Sequence, residues 1–165
     1  MERMDKEVQK GARDFRGSVG SEQGEVLREL FRSFSEAVMM KSVDRVMSFY
    51  APDVVAFDIF PPLQVVGREE YRKSWLQFLE AAESIDQHEV KDLKITASDD
   101  IAFAHALVHT VGKMKEGEKM DCWMRLTCCL AKIGGRWFVT HEQLSVPVDM
   151  KTGAAVWDLK PERVH

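Results

Sequence analysis

Apolar positions change period partway along the chain, from helical spacing to strand spacing. Leu27, Leu30, Phe31, Phe34 and Val38 recur at steps of three and four, which predicts an amphipathic helix. Ser42 is placed to cap a short second helix carrying Val43, Val46, Met47 and Tyr50, which Pro52 stops. Val54 to Ile59 reads as a short strand, and Pro61-Pro62 turns the chain so that Val65-Val66 pairs back as a stub. Gly67 precedes a third helix with Tyr71, Trp75, Phe78, Leu79 and Ala82 on one side. The spacing then becomes two. Leu93, Ile95 and Ala97 alternate with polar neighbours, and Ser98-Asp99-Asp100 is a turn. Residues 101–111, 119–133 and 136–146 predict three long strands, joined at Glu116-Gly117 and Gly134-Gly135. Helices first and a meander afterwards predict an α+β domain.

The two turns set an expected register. Pairing Ile133 with Arg136 puts Thr127 opposite Glu142 and Arg125 opposite Leu144. A two-residue turn at Glu116-Gly117 puts Thr127 beside Ala106 and Arg125 beside Val108. One face then carries Ala104, Ala106, Val108, Trp123, Arg125, Thr127, Thr140, Glu142 and Leu144, and suits a cavity roofed by helices. The other carries Phe103, His105, Leu107, His109, Cys122, Met124, Leu126, Cys128, Trp137, Val139, His141, Gln143 and Ser145. It is broad and semi-apolar, and suits a two-fold homodimer interface containing the three histidines.

Composition narrows the function classes. The chain has 165 residues, 45% hydrophobic and 30% charged, enough for one domain with one core. Its expected organisation is a charged extension over 1–21, a domain over 22–148 and a tail over 149–165 anchored by Trp157. A net charge of -4 argues against nucleic acid as a partner. No apolar run reaches the ~18 residues of a membrane span. The charged start Met1-Glu2-Arg3-Met4-Asp5 lacks a signal-peptide stretch, so a cytoplasmic location is expected. Cys122, Cys128 and Cys129 make no disulfide framework, and neighbours on a strand point to opposite faces. His105 and His109 lie about 13 Å apart on a strand, too far to chelate one ion. His88 and His165 read as exposed. Neither a metal nor a cofactor is expected.

Several groups could carry chemistry. Asp58 ends its strand either as a base lining a cavity or as a solvated turn residue. Glu142 and Arg125 form either an acid–base or substrate-clamping pair, or a structural ion pair under the helices. Tyr71, Trp75 and Phe78 pack in the core or wall an apolar cavity.

Taken together, the run Tyr50-Ala51-Pro52-Asp53 through Asp58, the helix opening Gly67-Arg68-Glu69-Glu70-Tyr71, and the closing segments Trp123-x-Arg125-x-Thr127 and Gly135-Arg136-Trp137 through His141-Glu142 to Pro147 resemble the nuclear transport factor 2-like superfamily. The likeness is to its SnoaL-like and ketosteroid isomerase-like proteins, and covers roughly Glu25 to Pro147. It implies a cone-shaped roll, a strongly curved antiparallel sheet wrapped around three helices, with a pocket and frequent homodimers. Ketosteroid isomerase uses an Asp base with a Tyr and a protonated Asp as oxyanion donors. The resemblance puts Asp58 at the base, Phe34 at the Tyr position and Thr127 at the protonated Asp. Phe34 has no donor, so the same steroid isomerisation is not expected. Two functions remain. One is a small-molecule-binding protein with Asp58, Glu142 and Arg125 as catalytic groups and Phe34, Tyr71, Trp75, Phe78, Trp123, Thr127 and Leu144 lining the pocket. It would be a cofactor-independent isomerase, cyclase or dehydratase acting on an apolar carbonyl compound. The alternative is a non-catalytic homodimeric association or ligand-sensing module.

Overall fold

Helix α1 (Glu22–Met39) begins the part of the chain, residues 22–161, that the computed structural model describes. The extension over 1–21 and His165 lie outside the described residues. Leu27, Phe31 and Val38 are the buried stripe of α1. A short α2 (Val43–Met47) follows, then β1 (Tyr50–Phe57), β2 (Val65–Val66) and α3 (Arg68–Ala81). Four long strands complete the fold: β3 (Ala82–Ala97), β4 (Ile101–Met114), β5 (Lys119–Ile133) and β6 (Arg136–Ser145). Together with β1 and β2 they form one curved, open sheet in the order β2-β1-β6-β5-β4-β3.

Three expectations about this sheet need correction. It is mixed, because β1 runs parallel to β6. β3 also begins eleven residues before Leu93, at Ala82. Its first half hides from pattern reading because three register shifts break the alternation. One shift lies beside Gly112 of β4, where an added Cβ would sit 2.2 Å from the Ser84 carbonyl oxygen. Only glycine allows that approach. β1 likewise starts at Tyr50, not Val54.

The faces of β5 are the reverse of those expected. Met114 N–H bonds the Glu118 carbonyl at 2.8 Å, and Gly117 sits at φ 92°, so the β4–β5 loop has three residues, not two. This is the common turn in which a left-handed glycine closes a type I bend. Ala106 therefore pairs with Leu126, and Leu107 with Arg125. At the β5–β6 turn, Ile133 does pair with Arg136. A bulge at Thr140 then shifts the register, so that Cys128 faces Glu142 and Thr127 faces Gln143. Each slip of one residue turns a strand over relative to its neighbour.

The concave face thus carries Ala104, Ala106, Val108, Met124, Leu126, Cys128, Val139, Glu142 and Leu144, and α1 and α3 pack over it. Trp123, Arg125 and Thr127 lie on the convex face with His105, His109 and His141. Trp137 and Val139 are buried in the core, away from that face. After β6 the tail folds back, and Trp157 stacks on Phe60 at 6.4 Å. Among the described residues, no helix is long and apolar enough to cross a membrane.

Candidate functional site

Between the concave face and the helices lies a cavity of about 410 Å³. Phe34 of α1, Tyr71, Trp75 and Phe78 of α3, and Met124, Leu126 and Leu144 of the sheet line it. Phe34 is the hub of an aromatic cluster, with edge contacts to Phe49, Tyr50, Trp75 and His88. The polar groups in this apolar wall are few, and two of them are carboxylates.

Glu142 is 6% exposed. The Tyr50 hydroxyl lies 3.0 Å from both of its oxygens, and the Tyr71 hydroxyl also donates to Oε1. Both phenols are buried, and their rings meet edge to face at 5.1 Å. Burial pushes the Glu142 carboxyl up to about 7, against the two phenol bonds that favour its charged form; the nearby Asp58 charge adds to the upward push. Burial next to an anionic carboxylate likewise holds both phenols well above their usual range. No Lys or Arg is among the described residues lining the cavity. A buried carboxylate without a cation is costly, so the site retains a proton near neutrality.

Asp58 stands just beyond the end of β1, half-buried. It receives the Ile59 N–H at 2.6 Å. Burial raises its pKa, while backbone bonds from Ile59 and Phe60 pull the other way. Its carboxylate and that of Glu142 face one cavity, and the Asp58 charge adds to the rise at Glu142.

Arg125 does not join them. It is exposed on the convex face, where its Nε donates to Ser145 Oγ at 3.2 Å. The expected Glu142–Arg125 pair is replaced by Glu142 with two tyrosines. Trp123 and Thr127 are likewise outside the cavity, Trp123 stacked on His109 at 4.2 Å. The one-residue slips explain all three displacements. His109 also bonds Asp121 at 2.7 Å. His141 Nδ1 lies 2.8 Å from the Val55 carbonyl, so that nitrogen carries the proton. His88, expected to be exposed, is 7% exposed in the cavity wall, with Nδ1 3.0 Å from Ser35 Oγ. Desolvation pushes it down to about 4, so the ring is neutral at ordinary pH.

His88 and Thr110 in the cavity wall, and Tyr50 buried behind Glu142, are groups that sequence reasoning missed. Tyr50 had a signal: it shares parity along β1 with the buried Val54 and Ala56 and with Asp58. His88 had none, because the bulges of β3 scramble its period.

The SnoaL-like domain model matches residues 27–149. No curated protein matches the chain. Among solved structures, a nuclear transport factor 2-like protein of unknown function from Pseudomonas putida is 32% identical, with a TM-score of 0.75 over 83% of this chain and 95% of that one. A ketosteroid isomerase-like protein from Erwinia carotovora is 20% identical, TM-score 0.66, over 76% of this chain and 96% of its own. A provisionally named scytalone dehydratase from Novosphingobium aromaticivorans is 16% identical, TM-score 0.68, over 85% and 95%. The last two bear on the fold alone.

Proposed function

The chain belongs to the SnoaL-like family, and on that premise we propose that it is a cofactor-independent acid–base enzyme for a neutral, apolar carbonyl compound. Isomerisation, cyclisation and dehydration all need the same two operations. A base removes a proton beside a carbonyl, and an acid neutralises charge that develops elsewhere. The observation that carries this reading is Glu142, a buried acid poised near neutrality in a cavity that also holds Asp58. Two carboxyl groups whose surroundings differ divide naturally into acid and base.

In this division Asp58, ionised and reachable from the cavity, takes the proton from carbon. Protonated Glu142 gives its proton to the forming enolate oxygen, or to a departing hydroxyl that leaves as water. Tyr50 and Tyr71 steady the carboxylate that results. Two acids and no cation among the described residues around the cavity disfavour an anionic substrate. Neighbours named for a dehydratase and an isomerase support the reading at the level of scaffold.

The test is deuterium uptake from heavy water at the carbons beside the carbonyl of 2-tetralone, followed by proton NMR. The protein should speed uptake above the buffer rate. Asp58→Asn and Glu142→Gln should each cut that gain by about 100-fold or more. Equal uptake by all three proteins would leave a binding-only module as the better account.

We also propose that the convex face joins two copies of the chain. Its Ile101 and Phe103 are exposed beside half-buried Leu107, Trp123 and His141, an apolar extent of the kind that marks association.

A further inference from the structure

Thr110 is 2% exposed in the cavity wall, and its hydroxyl has no hydrogen-bond partner. Buried hydroxyls are ordinarily paired. Directly across on β3 stands His88, its ring lining the same cavity. Opposed residues share a face and lie close enough for one ligand group to touch both. The acid end of the cavity also holds the Trp75 indole N–H, which faces the Tyr50 hydroxyl from the helix that supplies Tyr71. Phe34 separates the two ends, its ring 6.0 Å from Tyr50 and 6.0 Å from His88. Apolar Val90, Val108 and Met124 line the same cavity.

We propose that the ligand carries a second neutral polar group, a hydroxyl or carbonyl, received by Thr110 and His88 while its reacting carbonyl meets Glu142 and Asp58. This rests on the reading of the cavity as the ligand site, and it narrows the substrate class. The substrate is a compact molecule, apolar across its middle and polar at both ends, and not a plain ketone. Thr110 donates or accepts as the group requires. His88, bonded to Ser35 and buried, contributes a ring without charge. Both partners are neutral, so the terminal group is neutral also.

The probes are 2-tetralone and 6-hydroxy-2-tetralone, which differ by one hydroxyl at the end away from the carbonyl. Calorimetric titration should show the hydroxylated probe binding wild type about fivefold more tightly or better, the worth of one net hydrogen bond. Thr110→Val should erase that preference, and Thr110→Ser should retain it. The ligand-free Thr110→Val protein should melt no lower than wild type, since an unpaired hydroxyl has been removed. The proposal is overturned by no preference in wild type, by a preference that survives Thr110→Val, by binding of neither probe, or by a lower melting temperature of the valine variant. Deuterium uptake is scored apart. Uptake lost in Asp58→Asn with a preference indifferent to Thr110 would defeat this inference and leave the acid–base function standing. A Thr110-dependent preference without uptake would do the reverse.

Discussion

Glu142 and His88 pull the stability of this protein in opposite directions with pH. The Glu142 carboxyl is raised from 4.5 to about 7 on folding. Between those values the unfolded chain releases a proton that the folded chain keeps, so stability falls as pH rises. His88 is lowered from 6.5 to about 4. Between those values the unfolded chain holds a proton that the folded chain excludes, so stability rises with pH. Each shift corresponds to about 3 kcal/mol. Their windows overlap from about 4.5 to 6.5, and there the two slopes offset each other. Urea unfolding across pH should therefore give a nearly level curve for wild type in that interval. Glu142→Gln should uncover the His88 slope, a gain of about 3 kcal/mol between pH 4 and 6.5. Parallel curves for the two proteins would contradict this placement of Glu142. Arg125 supplies the opposite kind of prediction. Exposed on the outer face, Arg125→Ala should shift stability by less than about 0.5 kcal/mol and leave binding in the cavity unchanged, read by urea unfolding and calorimetry. The sequence reading placed Asp58 and Glu142 on one cavity and put Arg125 there wrongly. The physical reason is that a strand residue has two possible faces, and a slip of one position exchanges them.

Strand register was the least legible feature at the scale of elements. The period of α1, the stub at Val65-Val66, the start of α3 at Arg68 and the lengths of β5 and β6 all follow from apolar spacing and turn residues. What pattern reading cannot count is an extra residue inside a ladder. The left-handed Gly117 closes a loop one residue longer than two, and Thr140 bulges out of β6. Similar irregularities concealed the first half of β3, where Glu83, Asp86 and Glu89 fall at steps of three instead of two. These bulges are parts of the fold with their own cost of change. Gly112→Ala would press a methyl group onto the Ser84 carbonyl at one of them. The variant should lose about 2 kcal/mol in urea unfolding. An unchanged midpoint would mean that β3 shifts freely there.

At the scale of the whole molecule, the curved sheet divides two environments. Its concave side and the helices enclose the carboxylates, and its convex side presents Phe103 beside histidines, Trp123 and Leu107. Sedimentation should report a dimer for wild type and a monomer for Phe103→Glu, with cavity binding retained. A monomeric wild type would refute association through this face. The family resemblance pointed to this architecture before the details could be read. It also gave Asp58 as the group to examine, while its partner Glu142 owes its raised pKa to burial, against the bonds from Tyr50 and Tyr71. The central claim is therefore that one acid in the cavity changes charge near neutrality. Carbon-13 NMR of the Glu142 side-chain carboxyl, assigned by its loss in Glu142→Gln, tests that claim most directly. The account predicts a titration midpoint of about 7. A midpoint near the ordinary 4.5 would contradict it.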